Sequence, residues 1–146
     1  MPDDTEAAAP LPAASIILHP ATLPALDRGS GVSTVPLVTG GRGAATFLSG
    51  VTSFQPGAAL PLHRHNCLES VVILAGEAVV DIAGVETALV AGDTTIVPAE
   101  VPHRFRNASG SQRMRILWIY GSIDATRTIL ATGVTTRIDT EQAALR

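Results

Sequence analysis

Glycine and proline interrupt this chain so often that long helices do not fit between them. Thirteen glycines and ten prolines are spread over 146 residues, and the runs between them are rich in Val, Ile, Leu and Thr. Turn signals every 8–12 residues or so, separated by β-branched runs, are typical of sandwiches and barrels. Only three Phe, one Trp and one Tyr are present, so aliphatic side chains must fill the core. We therefore predict a single all-β domain.

Each apolar run from position 15 onward is predicted to form a strand. The ten predicted strands are residues 15–18, 34–38, 45–54, 60–65, 70–74, 78–82, 86–90, 94–97, 103–107 and 113–120. Helix is predicted for two short segments, 24–28 and 140–145.

The composition divides the chain into three parts. Residues 1–14 are acidic and rich in Ala and Pro, which predicts a disordered N-terminal tail. Residues 15–121 contain the predicted barrel, and residues 122–146 form a C-terminal arm. Within this arm, residues 127–132 alternate well enough for one more strand, which either closes the barrel or lies on a partner subunit. Because an open edge strand promotes aggregation, we expect a homodimer.

The charged residues exclude several classes of protein. All ten basic residues are arginines, which excludes Schiff-base chemistry, pyridoxal phosphate attachment and a lysine-dependent phosphate-binding loop. The net charge is −3, and outside the acidic tail the charges balance. We therefore expect neither nucleic acid nor an anionic membrane as a partner.

Cysteine usage and apolar run lengths indicate where the protein works. Cys67 is the single cysteine, so the chain has neither an internal disulfide nor a zinc site of several cysteines. No apolar run approaches the ~18 residues of a membrane helix. The N-terminus does not resemble a secretory signal either, so we expect a cytoplasmic protein.

Histidine is concentrated in two segments of the chain. His63 and His65 lie two apart on a predicted strand, so both imidazoles point to the same face, about 7 Å apart. Glu69 follows after a turn, and His103 opens a later strand. Imidazole nitrogens and a carboxylate oxygen are suitable ligands for a divalent transition metal. Two histidines at this spacing also occur on solvent-facing strands, so the pair alone leaves both interpretations open.

These residues stand in two motifs that resemble those of the cupin superfamily. The family's first motif, G-x5-H-x-H-x3-4-E-x6-G, is matched by Gly57, His63, His65, Glu69 and Gly76. Its second motif, G-x5-P-x-G-x2-H-x3-N, is matched by Gly92, Pro98, His103 and Asn107. The 15-residue spacer between them, residues 77–91, has the short length usual in small single-domain cupins.

Glu100 occupies the position at which the second motif has glycine. If that turn requires a positive φ, a glutamate costs roughly 1–2 kcal/mol there. We expect Glu100 to be a solvated turn residue, with an acid at the mouth of the barrel as the alternative.

The resemblance to cupins implies a double-stranded β-helix, a small jelly-roll barrel, that holds one divalent transition metal. Its implied ligands are His63, His65, Glu69 and His103. This ligand set suits Fe, Mn, Ni, Co or Zn alike. A divalent ion with one carboxylate is net positive, which favours a small organic substrate that is anionic or readily deprotonated. The alternative is a barrel in which the histidines are simply packed.

Alternation along the strands predicts which side chains line the barrel. Arg115 belongs outside, so Met114 and every second residue after it face inward, as do His103 and every second residue after it. The predicted substrate-binding residues are Phe105, Ile116, Trp118 and Tyr120. Glu69 and Tyr120 are the predicted catalytic residues, because each can hold or transfer a proton in a mostly apolar pocket.

Three classes of function fit these residues. Small cupins with this ligand set include dioxygenases of enol-like or phenol-like substrates, so the resemblance implies such an enzyme first. The alternatives are a redox-silent metal-dependent isomerase, lyase or sugar-processing enzyme, and a non-catalytic small-molecule binding or sensor module.

Overall fold

The computed structural model describes residues 9–143, with side chains through residue 140. Its strands are β1 (Leu26–Gly29), β2 (Val32–Pro36), β3 (Leu48–Phe54), β4 (His63–His65), β5 (Glu69–Ala75), β6 (Glu77–Ile82), β7 (Val85–Val90), β8 (Thr94–Val97), β9 (His103–Asn107), β10 (Met114–Tyr120), β11 (Thr126–Ile129) and β12 (Thr135–Arg137). The helix α1 (Ile138–Ala143) follows β12, and short 3-10 turns lie at Pro20–Thr22 and Gly40–Arg42. Within the described residues, no helix has the length and apolar character to cross a membrane.

The strands form two six-stranded antiparallel sheets. The first has the order β1-β2-β3-β10-β5-β8 and the second β12-β11-β4-β9-β6-β7. Neighbours in these orders are often far apart in sequence, as β3 and β10 are, so the chain passes repeatedly from one sheet to the other. This arrangement is a jelly roll. The predicted all-β, jelly-roll fold is confirmed.

Nine of the ten predicted strands overlap strands of the structure. The strand predicted at residues 15–18 is wrong: this segment has no strand assignment, and Ile16 and Ile17 are 55% and 63% exposed. An apolar run forms a strand only when another strand lies beside it. Among the described residues, no strand pairs with residues 15–18.

The helix predicted at residues 24–28 is also wrong, because β1 forms a hairpin with β2 instead. Leu26 is opposite Thr34 and Asp27 is opposite Ser33 in this pair. The connecting Gly29, Ser30 and Gly31 all have positive φ, at 78°, 53° and 81°. Glycines permit that conformation, and the tight turn they make returns the chain onto β2, where pairing outweighs a weak helical preference.

The C-terminal arm pairs with the barrel of its own chain. Strand β11 is antiparallel to β4, with Arg127 opposite His65, and β12 extends the same sheet. The helix predicted at residues 140–145 begins earlier, at Ile138, whose side chain is 2% exposed. Residues 144 and 145 of that prediction lie outside the described residues.

The core lies between the two sheets and follows the predicted alternation. Residues of β10 alternate strictly between buried and half-buried, starting with buried Met114. Trp118 is packed against β3 at Gly50, where a Cβ would collide with the indole ring. Its Nε1 donates to Thr52 Oγ1 at 2.9 Å, so the buried polar atom of the indole is satisfied.

Candidate metal centre

Three imidazoles from two adjacent strands meet inside the barrel. His63 and His65 lie on β4 and His103 on β9, and His63 is directly opposite His103 in the sheet. The three residues are buried: His63 is 4% exposed, His65 2% and His103 1%. One ligand nitrogen from each lies within 4.8 Å of the other two. The strand periodicity that the sequence predicts therefore does place all three on the inner face.

The outer nitrogen of each imidazole is bound to the backbone. In all three rings Nδ1 lies against a carbonyl oxygen, which accepts hydrogen bonds and cannot donate them, so Nδ1 carries a proton. In the neutral ring the lone pair is then on Nε2. The acceptors are Pro61 O for His63 (2.7 Å), Thr126 O for His65 (2.9 Å) and Val101 O for His103 (2.8 Å).

Glu69 adds a carboxylate to the cluster. It is 4% exposed, and its Oε1 lies 2.9 Å from Nε2 of His103 while its Oε2 lies 3.5 Å from Nε2 of His65. Nε2 of His65 is fully buried and makes no hydrogen bond within the described residues. A buried nitrogen without a partner is costly, and a divalent cation held by the three Nε2 atoms and Glu69 would satisfy it. The donor set thus fits the metal that the sequence implies.

The pKa values show which charges this cluster favours. Burial, together with the neighbouring His103 and His65, lowers the pKa of His63 to about 3, so the ring is neutral at pH 7. Burial raises the pKa of Glu69, but the hydrogen bond with His103 and the nearby imidazole of His65 together lower it more, so the net pKa lies well below its ordinary value. For His103, burial lowers the pKa, but the hydrogen bond to Glu69, the negative charge of that carboxylate and the hydrogen bond to Val101 O together raise it above its ordinary value. Without a metal, the ionised carboxylate of Glu69 therefore favours a proton on His103. A cation bound by Nε2 of His103 would displace that proton.

A small cavity opens beside the cluster, and all four predicted substrate-binding residues line it. Its volume is about 20 Å³, room for about one water molecule. The lining residues are Arg28, Thr52, Leu60, His63, Glu69, Val71, Phe105, Ile116, Trp118, Tyr120 and Arg127. The predicted catalytic residues Glu69 and Tyr120 are both among them. The wall is mainly aliphatic and aromatic, as the sequence predicts.

Arg28 and Arg127 also line this cavity, and neither is among the site residues that the sequence predicts. Arg127 is 7% exposed on β11, and its Nη2 donates to Tyr120 Oη at 3.4 Å. The Tyr120 ring lies 4.6 Å from that of His65. The sequence offers one sign of Arg127, namely an arginine in an otherwise uncharged predicted strand of the C-terminal arm. The face of the sheet to which Arg127 points, however, depends on the pairing of β11 with β4. For Arg28 no signal was visible, because its segment was predicted to be helical.

Glu100 lies outside the barrel, in a turn that does have a positive φ. Its φ is 68°, and its backbone nitrogen donates to His65 O at 2.7 Å. The side chain is 63% exposed and forms an ion pair with Arg64, Nε to Oε2 at 3.1 Å. The left-handed turn explains why the motif has glycine here. Glu100 is a solvated turn residue, as expected, and does not reach the cavity.

Comparisons with known proteins agree with this geometry. A family model described as "Cupin domain" matches residues 50–120. Among solved structures, the polyketide cyclase RemF from Streptomyces resistomycificus aligns with a TM-score of 0.68 at 18% identity over 85% of each chain. An RmlC-like cupin from Shewanella frigidimarina aligns at 0.65 and 20% identity, over 74% of this chain and 91% of that chain.

A third solved structure, a sugar phosphate isomerase of the cupin superfamily from Silicibacter pomeroyi, aligns with a TM-score of 0.55 at 25% identity. It covers 75% of this chain and 78% of its own. A search of curated proteins found no significant match. Because the family model spans both histidine segments and cupin barrels superpose on most of the chain, this protein belongs to the cupin superfamily.

Proposed function

We propose that this cupin is a metal-dependent enzyme of small oxygenated organic molecules, and that its activity is that of a dioxygenase on an enol-like or phenol-like substrate. The observation that carries the proposal is the convergence of three imidazoles, each held by a backbone carbonyl at Nδ1. Such hydrogen bonds orient histidine ligands and fix the tautomer that binds metal.

The proposed ligands are His63, His65, His103 and Glu69. Fe, Mn, Ni, Co and Zn all suit three neutral imidazoles and one carboxylate. Bound there, such an ion would supply Lewis-acid or redox chemistry next to the cavity. Glu69 would then have two roles: its carboxylate would bind the ion and would also accept a proton from the substrate.

The cavity wall supports a flat, weakly polar substrate. Phe105, Ile116 and Trp118 offer an apolar surface for an enol or an aromatic ring, which the cavity of about 20 Å³ admits only when side chains of the wall move apart. Tyr120 places its hydroxyl on the same wall, where it can donate a hydrogen bond to a substrate oxygen. Glu69 lies on the same wall and is the proposed acceptor of the proton of an enol or phenol hydroxyl.

Oxygen consumption tests the dioxygenase proposal. Protein freed of metal with a chelator is reloaded with Fe(II), Mn(II), Ni(II) or Zn(II), and uptake of dioxygen is followed with a catechol, a flavonol and a β-diketone. We expect uptake that is stoichiometric with substrate for at least one redox-active ion and none with zinc or with metal-free protein. Uptake that is unaffected by removal of the metal contradicts the proposal.

A redox-silent reaction is the second candidate, because two groups that can move protons lie on one cavity wall, Glu69 and Tyr120. The similar structures include a polyketide cyclase and a sugar phosphate isomerase. Turnover without dioxygen, equally fast with zinc, identifies this class. Tight binding of the same compounds without turnover under any metal identifies a binding or sensor module instead.

Assembly, location and domain limits stay predictions of the sequence. A homodimer is consistent with the exposed apolar side chains Val85, Val90 and Ile96 on β7 and β8, the last strands of the two sheets. Light scattering on purified protein measures the mass directly, and a monomer at working concentration contradicts the dimer. The cytoplasmic location and the boundaries at residues 14 and 121 are tested by fractionation and by limited proteolysis.

A further inference from the structure

We propose that Arg127 and Arg28 together bind a carboxylate group of the substrate, so that the protein acts on a small organic acid. This inference rests on the proposed function, since it names the substrate class of the same site. From the charge of the implied metal, the sequence predicts only that the substrate is anionic or readily deprotonated.

The position of Arg127 follows from strand register. It lies directly opposite His65 in the β11–β4 pair, and directly opposite residues of an antiparallel pair point to the same face. The guanidinium therefore enters the barrel on the side of the imidazoles, where it is 7% exposed and donates to Tyr120 Oη. A guanidinium cannot lose its proton in a protein, so Arg127 brings a permanent positive charge into the barrel.

Arg28 comes to the same place from the other sheet. It lies on β1 and lines the cavity that His63 and Glu69 also line. A second cavity, of about 10 Å³, is bordered by Arg28, Trp118, Tyr120 and Arg127 as well. The two arginines therefore border both cavities, and the larger cavity also borders His63 and Glu69 of the candidate metal centre. Both have further interactions within the chain, which a bound anion would join or replace.

Two guanidinium groups on a mainly aliphatic and aromatic wall select a particular kind of ligand, because Glu69, the carboxylate on the same wall, would be held by the metal. Each presents a planar fork of N–H donors, which matches the two oxygens of a carboxylate. Burial strengthens such hydrogen bonds, because water competes less for the donors. The adjoining cavities each hold about one water molecule or less, so a flat carboxylate fits with less rearrangement than a tetrahedral phosphate. The rest of the acid then faces the three histidines.

Binding of simple probes tests the inference without any assay of activity. Zinc-loaded, isotope-labelled protein is titrated with acetate, with its neutral analogue acetamide and with inorganic phosphate, and the arginine Nε–H signals are followed by NMR. The variants are Arg28→Gln and Arg127→Lys, which keeps the charge but loses the fork. Arg115→Gln, on the outer face of β10, is the matched control. Zinc content and the amide spectrum of each variant are measured first.

We expect the wild type to prefer acetate to acetamide by about tenfold, the typical value of a charged hydrogen bond. Arg28→Gln and Arg127→Lys should each lose most of that preference while they keep zinc, and Arg115→Gln should keep it. If Arg28→Gln binds acetate as the wild type does, the metal alone attracts the anion and the inference is overturned. Tighter binding of phosphate than of acetate also overturns it.

The outcomes separate this inference from the proposed function. Wild-type protein that binds no zinc contradicts the metal-dependent function. The same titration on metal-free protein then still decides whether the arginines select a carboxylate. If Arg127→Lys does not fold, Arg28→Gln and the acetate-to-acetamide ratio of the wild type decide the question alone.

Discussion

The two ends of strand β9 hold buried polar side chains that differ in how completely they are hydrogen-bonded. At the C-terminal end, Asn107 is 2% exposed and its side chain is fully engaged. Its Nδ2 lies within hydrogen-bond distance of the backbone oxygens of Phe54 (3.2 Å), Gln55 (3.1 Å) and Gln112 (2.7 Å), and its Oδ1 accepts from Ser109 N at 3.0 Å. This residue ties three segments of backbone together.

At the N-terminal end of β9, His103 belongs to a cluster whose hydrogen bonding is incomplete. The three imidazoles use Nδ1 on backbone carbonyls, while their Nε2 atoms face one another and Glu69. Nε2 of His65 makes no hydrogen bond to any described residue. Both ends of β9 are equally buried, but the hydrogen bonds of Asn107 are complete without a ligand and those of the histidine cluster are not. Incomplete pairing of buried polar atoms thus distinguishes the end of β9 at which we propose the metal.

Removal of one imidazole should have the largest effect on the histidine end of β9. His63→Ala should lower metal affinity by more than about 100-fold, since losing a residue that merely orients a ligand already costs about 10–100-fold. His103→Ala should do the same, and both proteins should still fold. Elemental analysis after dialysis measures the metal, and circular dichroism checks the fold. A full equivalent of metal in either variant would remove that histidine from the ligand set.

The opposite end of β9 should respond in stability instead of metal content. Asn107→Ala leaves several buried carbonyl oxygens with fewer partners, so we expect the free energy of unfolding to fall by about 3 kcal/mol. Urea denaturation of the metal-free protein measures it. Ser109→Ala is the control, because its exposed hydroxyl accepts only from neighbouring amides, and about 1 kcal/mol or less is expected. Equal effects of the two substitutions would show that Asn107 does not tie the segments together.

Acid should destabilise the histidine end of the metal-free protein. The pKa of His63 is lowered from 6.5 to about 3 in the folded state, so between these values the unfolded chain binds a proton that the folded chain does not. The stability that this neutral ring contributes is therefore lost as the pH falls from 6.5 toward 3, by at most about 1.4 kcal/mol per pH unit.

Comparison with His63→Gln isolates this titration, because glutamine has no proton to gain. Unfolding free energies of both metal-free proteins are measured at several pH values, and their difference should shrink or reverse as the pH decreases. A constant difference across the range contradicts a buried neutral His63. In the loaded wild type, protons compete with the metal for the same nitrogens, so metal should be released as the pH falls below about 6.

The smallest expected effect concerns the turn that leads into β9. Glu100→Gly relieves a positive φ and should raise the free energy of unfolding by about 1 kcal/mol. Arg64→Gln is the control, since it removes the exposed ion pair while the turn stays the same, and a change below about 0.5 kcal/mol is expected. A Glu100→Gly protein less stable than the wild type would mean that the side chain, and not the turn, governs this position.

Local patterns of the sequence are sufficient for much of the barrel and its histidine cluster. Alternation along β9 and β10 predicts which residues face inward, because a strand places successive side chains on opposite faces wherever it lies. The same rule places His63 and His65 on one face. Local patterns fail at residues 15–18 and 24–28. There the secondary structure depends on whether another strand is available to pair and on the turn that leads to that strand.

The arginines of the cavity show the limit most clearly. Arg127 and Arg28 are far apart in sequence, in the C-terminal arm and in an N-terminal hairpin, and nothing in either local pattern links them to the histidines. Their meeting requires the pairing of β11 with β4 and of β1 with β2. Register between distant strands is set by the packing of the whole barrel, so it cannot be derived from either segment alone.

The residue order by itself was sufficient to predict the fold class, the inward faces of the main strands and the four side chains that we propose as metal ligands. Each of these depends on spacing within a short segment, or on two motifs that together resemble one family. Only the tertiary structure decided that a hairpin stands at residues 26–36, that the C-terminal arm pairs with β4, and that two arginines border the cavity. These depend on contacts between segments distant in the chain, which form because the closed barrel buries them together.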